Sequence, residues 1–73
     1  MPSRPVKRSL TLHGHRTSVS LEEPFWKEFR RIAEARGLSI NELAAMVDAD
    51  RGMESGLASA IRVFVLEEVQ RRP

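Results

Sequence analysis

Basic side chains near the amino terminus are the first residues whose types suggest a chemical role. Residues 1–16 hold Arg4, Lys7, Arg8 and Arg16 and no acidic residue, a charge of +4. Residues 17–73 hold the other 8 of the 12 basic side chains and all 10 acidic ones, a charge of −2. A basic end on a slightly acidic body favours a surface that contacts a polyanion, although charge alone is equally compatible with a solvated tail.

Two histidines in the same basic segment suggest a metal site. His13 and His15 flank Gly14, but they supply only two ligands, and the chain has no cysteine and no acidic residue close to them in sequence. Metal sites usually need three or four protein ligands. We therefore expect no metal or other cofactor, and we assign both histidines to a turn or to phosphate contacts.

Small polar residues accompany the basic ones at positions where a polyanion can be contacted. Arg16 can read a guanine edge or hold a phosphate, and both alternatives stay open. Ser18 and Ser20 alternate with it, and a serine hydroxyl discriminates weakly between bases. Ser39 and Asn41 open a predicted helix, whose first N–H groups suit a phosphate, although ordinary capping explains them equally well.

Several function classes are disfavoured. There is no Gly-rich phosphate loop, no Ser-His-acid set with a plausible scaffold, and too short a chain to enclose a pocket, so we do not expect an enzyme. No apolar run approaches the ~20 residues of a membrane-spanning helix. The absence of cysteine excludes disulfides and fits a reducing cytoplasm. We expect a cytoplasmic protein without a membrane partner.

The elements that position these residues begin with alternating sequence. We interpret residues 1–6 as a flexible basic arm and residues 7–73 as one domain, with strand segments at about 8–13 and 15–21. Leu10 and Leu12 occupy even positions, whereas Val19 and Leu21 occupy odd ones. One flat strand cannot place both sets on one face, so residues 13–15 must form either a hairpin turn or a bulge.

Helical periodicity follows, and it predicts helices over residues 22–36, 40–51 and 56–70. The start signals are an S-x-x-E pattern at Ser20, with Pro24 in the first turn, and a second such pattern at Ser39. Gly37 fits the left-handed position that ends a helix. Residues 51–56 contain two glycines and should interrupt the helical pattern.

A chain of 73 residues buries little apolar surface by itself, so we expect a homodimer. The third helix is apolar around much of its circumference, which favours cover from a second subunit. An isolated strand is unstable, and we expect the second strand segment to pair with its symmetry mate in a two-stranded antiparallel ribbon. The expected dimer core is Val19, Leu21, Val47, Ile61, Phe64 and Val65.

The order of elements resembles the ribbon-helix-helix superfamily of bacterial DNA-binding proteins. The resemblance lies in the alternating residues 16–21, the first helix, and the segment Arg36-Gly37-Leu38-Ser39-Ile40-Asn41-Glu42-Leu43. Residues 7–22 and 57–67 are similar to a small, mainly alphaproteobacterial ribbon-helix-helix family. Two features depart from the superfamily pattern: serines on the outward strand face, and the interruption after residue 50.

The resemblance implies a mostly helical α+β fold, an intertwined homodimer, and a ribbon that enters the major groove of double-stranded DNA. The expected function is that of a transcriptional repressor or autoregulator. Two alternatives stay open: an antitoxin, and a dimeric protein-interaction module that does not bind DNA. The serine-rich strand face is the best argument for the module. The expected DNA-contacting residues are Lys7, Arg8, His13, His15, Arg16, Ser18, Ser20, Ser39 and Asn41.

Overall fold

Two strands and three helices follow one another in the computed structural model, which describes residues 4–52 and 55–72. The elements are β1 (Val6–Leu12), β2 (His15–Leu21), α1 (Glu23–Ala35), α2 (Ile40–Asp50) and α3 (Leu57–Gln70). This arrangement confirms the expected α+β fold class with an additional third helix. β1 begins at Val6, within the segment expected to be an arm; residues 1–3 of that segment lie outside the described residues.

The two strands form one antiparallel hairpin within a single chain. His13 and Gly14 make the two-residue turn, with φ angles of 53° and 79°, the left-handed conformations that a type I′ turn requires. Leu12 therefore pairs with His15, and each even-numbered residue of β1 lies opposite an odd-numbered residue of β2. The chain therefore forms the hairpin turn and not the bulge. This turn places Leu10 and Leu12 on the same face as Val19 and Leu21.

This pairing differs from the ribbon expected between two chains. β2 has seven partners in β1, from Leu12 opposite His15 to Val6 opposite Leu21. The sequence left the hairpin and the bulge undecided, and the ribbon between two chains was expected because an isolated strand would lack a partner. Because the tight turn returns the chain directly onto β2, β1 supplies that partner.

The start of α1 also differs from the expectation. Glu22 is the N-cap, and no side chain caps the helix, although Pro24 does lie in the first turn as expected. Ser20 belongs to β2 and is exposed, so the capping box proposed for it is wrong. The strand continues to Leu21, which leaves Ser20 one residue too early to act as a cap.

The connection between α1 and α2 follows the sequence signals. Gly37 has a φ of 70°, and its N–H donates to the carbonyl of Glu34, while the N–H of Leu38 donates to that of Ala33. These two bonds close a Schellman motif. Ser39 Oγ then accepts from the Glu42 N–H at 3.0 Å, and Glu42 Oε1 accepts from the Ser39 N–H at 2.8 Å, which confirms the predicted capping box.

One hydrophobic core is buried beneath the hairpin and between the helices. α2 packs against β1, α3 packs against β2, and α1 packs against both other helices. Phe29 of α1 lies at the centre and meets Phe64 of α3 edge to face, with ring centroids 6.1 Å apart. The buried residues are Leu10, Leu12, Val19, Leu21, Phe29, Ile32, Ala33, Leu43, Ala44, Val47, Ile61 and Val65.

The residues expected to form the core between two subunits are accommodated within one chain. Five of them are buried in the core just described, and Phe64 is half-buried. β1 packs against α2, and α3 packs against β2, α1 and α2. No helix of the described residues is long and apolar enough to cross a membrane.

Candidate nucleic-acid interface

The hairpin presents a polar surface on the side away from the core. Paired residues of an antiparallel sheet point to the same face, so the register assigns six exposed side chains to this side. We call these residues the outer face: Lys7 opposite Ser20, Ser9 opposite Ser18, and Thr11 opposite Arg16.

The outer face combines four hydroxyl groups with two positive charges and has no carboxylate. Ser9 and Ser18 form its centre. Lys7 lies on β1 near the open end of the hairpin, and Arg16 lies on β2 near the turn, about 14 Å apart along the ribbon at ~3.4 Å per residue. Hydroxyl groups both donate and accept hydrogen bonds, while the cations attract phosphates. A two-stranded ribbon of this kind has the width to enter a major groove.

Ser9 and Thr11 were missed as site residues in the sequence, and pairing explains why. Both alternate with Leu10 and Leu12, so the strand pattern indicates that they face away from the core. Their position beside Ser18 and Arg16 depends on the hairpin. The sequence left the hairpin and the bulge undecided.

Arg8 is not brought to the outer face. It lies opposite Val19 on the inner side of the hairpin, and its guanidinium is 5.2 Å from the centroid of the Trp26 ring and forms an ion pair with Glu23. Its side chain is only 22% exposed. The expected grouping of Arg8 with Lys7 therefore fails, because neighbouring residues of a strand point in opposite directions.

The histidines lie at the tip of the hairpin. His13 occupies the first position of the turn, and His15 closes the ladder opposite Leu12; both are exposed. Among the described residues, no group of three or more histidine, cysteine or acidic side chains is placed to hold a metal ion.

The first turn of α2 lies beside β1. Asn41 Oδ1 accepts a hydrogen bond from the Thr11 N–H at 3.0 Å, and Thr11 is a residue of the outer face. The Ser39 hydroxyl accepts from the Glu42 N–H in the capping box. The hydrogen bond that Glu42 Oε1 accepts from the Ser39 N–H is the main cause of a lowered pKa for the Glu42 carboxyl group, and the Ser39 side chain lowers this pKa further. The structure thus places the start of α2 next to the ribbon, with Asn41 as the residue that connects them.

The opposite edge of the ribbon is held by α3. Arg62 donates from Nε to Glu22 Oε1 at 2.9 Å and from a terminal nitrogen to the backbone oxygen of Ser20 at 3.2 Å. Its guanidinium is 5.9 Å from the ring centroid of Phe25. The hydrogen bond from Arg62 is the main cause of a lowered pKa for Glu22. These two hydrogen bonds and the one between Asn41 and Thr11 join residues 30 to 42 positions apart, which no local sequence pattern indicates.

Comparison with known proteins supports the resemblance drawn from the sequence. Residues 5–69 match the model of a family described as the ribbon-helix-helix domain. No curated protein and no solved structure matches the chain. The matched segment runs from the residue before β1 to the penultimate residue of α3. The chain therefore belongs to the ribbon-helix-helix domain family.

Proposed function

We propose that this protein is a DNA-binding transcriptional regulator that places the outer face of its hairpin in the major groove. The observation that carries the proposal is the outer face itself: a two-stranded ribbon with a hydroxyl centre, a cation towards each end and no acidic side chain. Ribbon-helix-helix domains generally bind DNA, as transcription regulators or antitoxins. Such a role would place the protein on chromosomal DNA in the cytoplasm.

Within this proposal, Lys7 and Arg16 supply the electrostatic contacts, and the hydroxyl groups contact base edges. The hydroxyl groups of Ser9 and Ser18 discriminate weakly between DNA bases, because a hydroxyl group can both donate to and accept from base edges. Phosphate contacts at Lys7 and at the start of α2 position the ribbon. Arg8 is left out of the contact set, since its guanidinium is held by Glu23 and Trp26.

Binding to mixed genomic DNA at increasing salt concentrations tests the proposal. The double variant Lys7→Ala/Arg16→Ala should bind much more weakly than wild type at ~50 mM salt, where electrostatic binding is strongest. The matched control is Lys27→Ala/Arg30→Ala, which removes two exposed cations of α1 that form no ion pair within residues 4–52 and 55–72. Absence of binding by the wild type at this salt concentration would contradict the proposal.

Association of two chains belongs to the same proposal, with a different interface from the one expected. The exposed large apolar side chains of α2 and α3 are Met46, Val63 and Leu66, which are 50%, 55% and 52% exposed, and Val69. Met46 and Val63 line a groove of about 650 Å³ between α2 and α3, whose lining also includes Phe64. Two copies joined through this surface would carry two separate hairpins.

This groove is also the specific observation that favours the alternative of a protein-interaction module. Its lining is mostly apolar, and its charged residues are Asp50, Glu67 and the single cation Arg51, which suits a protein partner better than a nucleic acid. The two functions differ in the residues that they require. Regulation of transcription needs Lys7 and Arg16, whereas an interaction module needs Met46 and Val63. The antitoxin alternative gains no comparable support, because α3 is folded against β2, α1 and α2.

A further inference from the structure

We infer that Arg62 of α3 is a positioning residue for DNA binding: it contacts no DNA itself, and it fixes the angle at which the ribbon leaves the helices. The inference rests on the proposed DNA-binding function and adds α3 to the elements that this function requires. Its basis is the set of contacts that Arg62 makes on both sides of the junction between β2 and α1.

That junction consists of a single residue. β2 ends at Leu21 and α1 begins at Glu23, so Glu22 alone separates the strand from the helix. Glu22 has an extended backbone, and no side chain caps the helix that follows it. Small rotations about its two soft backbone bonds would swing the ribbon relative to α1. A contact from outside the junction can therefore control the direction of the ribbon.

Arg62 supplies such a contact. Its Nε donates to Glu22 Oε1 at 2.9 Å, and a terminal nitrogen donates to the Ser20 carbonyl at 3.2 Å. Its guanidinium also lies 5.9 Å from the ring centroid of Phe25, in the first turn of α1. One side chain thus joins the last outer-face residue of β2 to the junction and to the start of the helix.

The chemistry of this contact requires an arginine. The pair of Lys7 and Ser20 has no backbone hydrogen bonds, because pairs alternate from the bonded pair beside the turn, so the Ser20 carbonyl points away from β1. The planar guanidinium reaches this carbonyl and the Glu22 carboxylate in fixed directions, whereas a lysine is a flexible point charge. The side chains of Arg62 and Glu22 are only 30% and 25% exposed. The charge of Arg62 is therefore used within the protein.

Helix α3 gives Arg62 a firm base. Its neighbour Ile61 is fully buried, and Val65, one turn further on, is 3% exposed. Both belong to the core that α3 forms with β2, α1 and α2. The backbone that carries Arg62 therefore cannot shift without exposing these side chains to water.

The other edge of the ribbon is held near its opposite end. Asn41 of α2 accepts from the Thr11 N–H at 3.0 Å, and Thr11 pairs with Arg16 close to the turn. Ser20, which Arg62 holds, lies at the open end of the hairpin. Contacts at opposite edges and opposite ends oppose both rolling and tilting of the ribbon.

This positioning affects binding because two sets of contacts must form together. The outer-face hydroxyl groups reach base edges only if the ribbon has the right angle while Lys7 and the start of α2 meet phosphates. A ribbon that is free to tilt must be ordered when DNA binds, which weakens affinity. Loss of Arg62 removes no phosphate contact, so it should weaken binding without changing the salt dependence.

Arg62→Ala tests the inference, and the chain offers a matched control in Arg36→Ala. Arg36 donates to Glu68 at 2.6 Å, and its guanidinium lies 5.3 Å from the ring centroid of Phe64. These contacts join the end of α1 to α3, and neither involves the ribbon. Both substitutions therefore remove one positive charge, one ion pair and one contact with a phenylalanine ring.

Fluorescence anisotropy with a duplex selected for tight binding gives the affinities at several salt concentrations, at a temperature where circular dichroism shows every variant folded. We expect Arg62→Ala to bind roughly three- to tenfold more weakly than wild type, with the same slope of log affinity against log salt. Arg36→Ala should lower the melting temperature comparably and bind like wild type. Arg62→Lys should recover only part of the loss, because an ammonium group lacks the planar fork.

Three results would overturn the inference while DNA binding stands: equal affinities of Arg62→Ala and Arg36→Ala, a slope reduced by about one unit in Arg62→Ala, or wild-type affinity of Arg62→Lys. The second and third would show that Arg62 holds a phosphate by its charge. If Arg62→Ala does not fold, Arg62→Lys and Arg36→Lys provide the same comparison. If the wild type binds no duplex, the proposed function fails and the inference fails with it.

Discussion

At the scale of single residues, Lys7 and Arg8 show how adjacent cations acquire different roles. Lys7 is exposed on the outer face, and Arg8 is held against Trp26 and Glu23 on the other side of the strand. We expect Lys7→Ala to weaken binding to all duplexes alike and to reduce the slope of log affinity against log salt by about one unit, as the loss of one phosphate contact does.

Fluorescence anisotropy with labelled duplexes at four or more salt concentrations measures this slope. Lys27→Ala should leave it unchanged. Arg8→Ala should also leave it unchanged but should lower the melting temperature, because the contact with the Trp26 ring is lost. A change of slope in Arg8→Ala as large as that in Lys7→Ala would contradict the assignment of the two faces.

Arg16 is the residue of the outer face with the greatest capacity for sequence readout. Its guanidinium can bind a guanine edge through two hydrogen bonds, which is worth about 1–3 kcal/mol of discrimination. We expect Arg16→Ala to weaken binding to a selected site by this amount and to weaken binding to random duplexes much less. Equal losses on both would show that Arg16 holds a phosphate. Arg30→Ala is the matched control, since it removes an exposed arginine of α1.

At the scale of elements, the turn of the hairpin is the most sensitive point. His13 and Gly14 both have positive φ angles, which favour Asn at the first position and Gly at the second. We expect Gly14→Ala to destabilise the fold by about 1 kcal/mol or more and His13→Asn to stabilise it, as measured by chemical denaturation. Gly52→Ala is the control, because Gly52 has no positive φ and no atom would contact the added methyl group. An unchanged stability of Gly14→Ala would mean that this turn is not formed.

The contact between α3 and the end of β2 predicts a pH dependence. The hydrogen bond from Arg62 lowers the pKa of Glu22 from its ordinary value of 4.5, so protonation of Glu22 is disfavoured in the folded state. The stabilisation that this contact provides is therefore present above pH 4.5 and is lost as the pH falls through the lower pKa of the folded state. We expect Glu22→Gln to lose less stability than wild type between neutral pH and pH ~3.

Urea denaturation at a series of pH values measures this difference. Glu34→Gln is the control, because Glu34 is exposed on α1 and forms no ion pair within the described parts of the chain. A Glu22→Gln variant whose stability falls with acid as steeply as that of wild type would show that Arg62 and Glu22 do not interact in solution.

The elements also show which features of the fold can be predicted from sequence. Gly37 and the Ser39–Glu42 pair predict the α1–α2 connection because these signals act within a few residues. The capping box predicted at Ser20 is wrong, because the same S-x-x-E spacing occurs here where a strand runs directly into a helix. The contacts of Asn41 and Arg62 escape prediction, because they depend on the three-dimensional placement of distant segments.

At the scale of the whole molecule, the single chain encloses a hydrophobic core of its own. Short chains often need a second subunit to bury enough apolar surface. Here β1 and α3 pack against the other elements, and Val47, Ile61 and Val65 are buried within the chain. Folding and association should therefore be separable in this protein, and Val63 and Val65, two positions apart on α3, can distinguish them.

Val63 is 55% exposed and lines the α2–α3 groove, whereas Val65 is 3% exposed. We expect Val63→Glu to stay folded with a melting temperature close to that of wild type and to be a monomer by analytical ultracentrifugation. Val65→Glu should fail to fold, because it buries a charge without a partner.

The melting temperature of the wild type, followed by circular dichroism over a wide range of protein concentrations, should change little, since an obligate dimer would show a clear rise. A strong rise with concentration, together with unfolding of Val63→Glu, would mean that the fold needs a second chain and that the core of a single chain is insufficient.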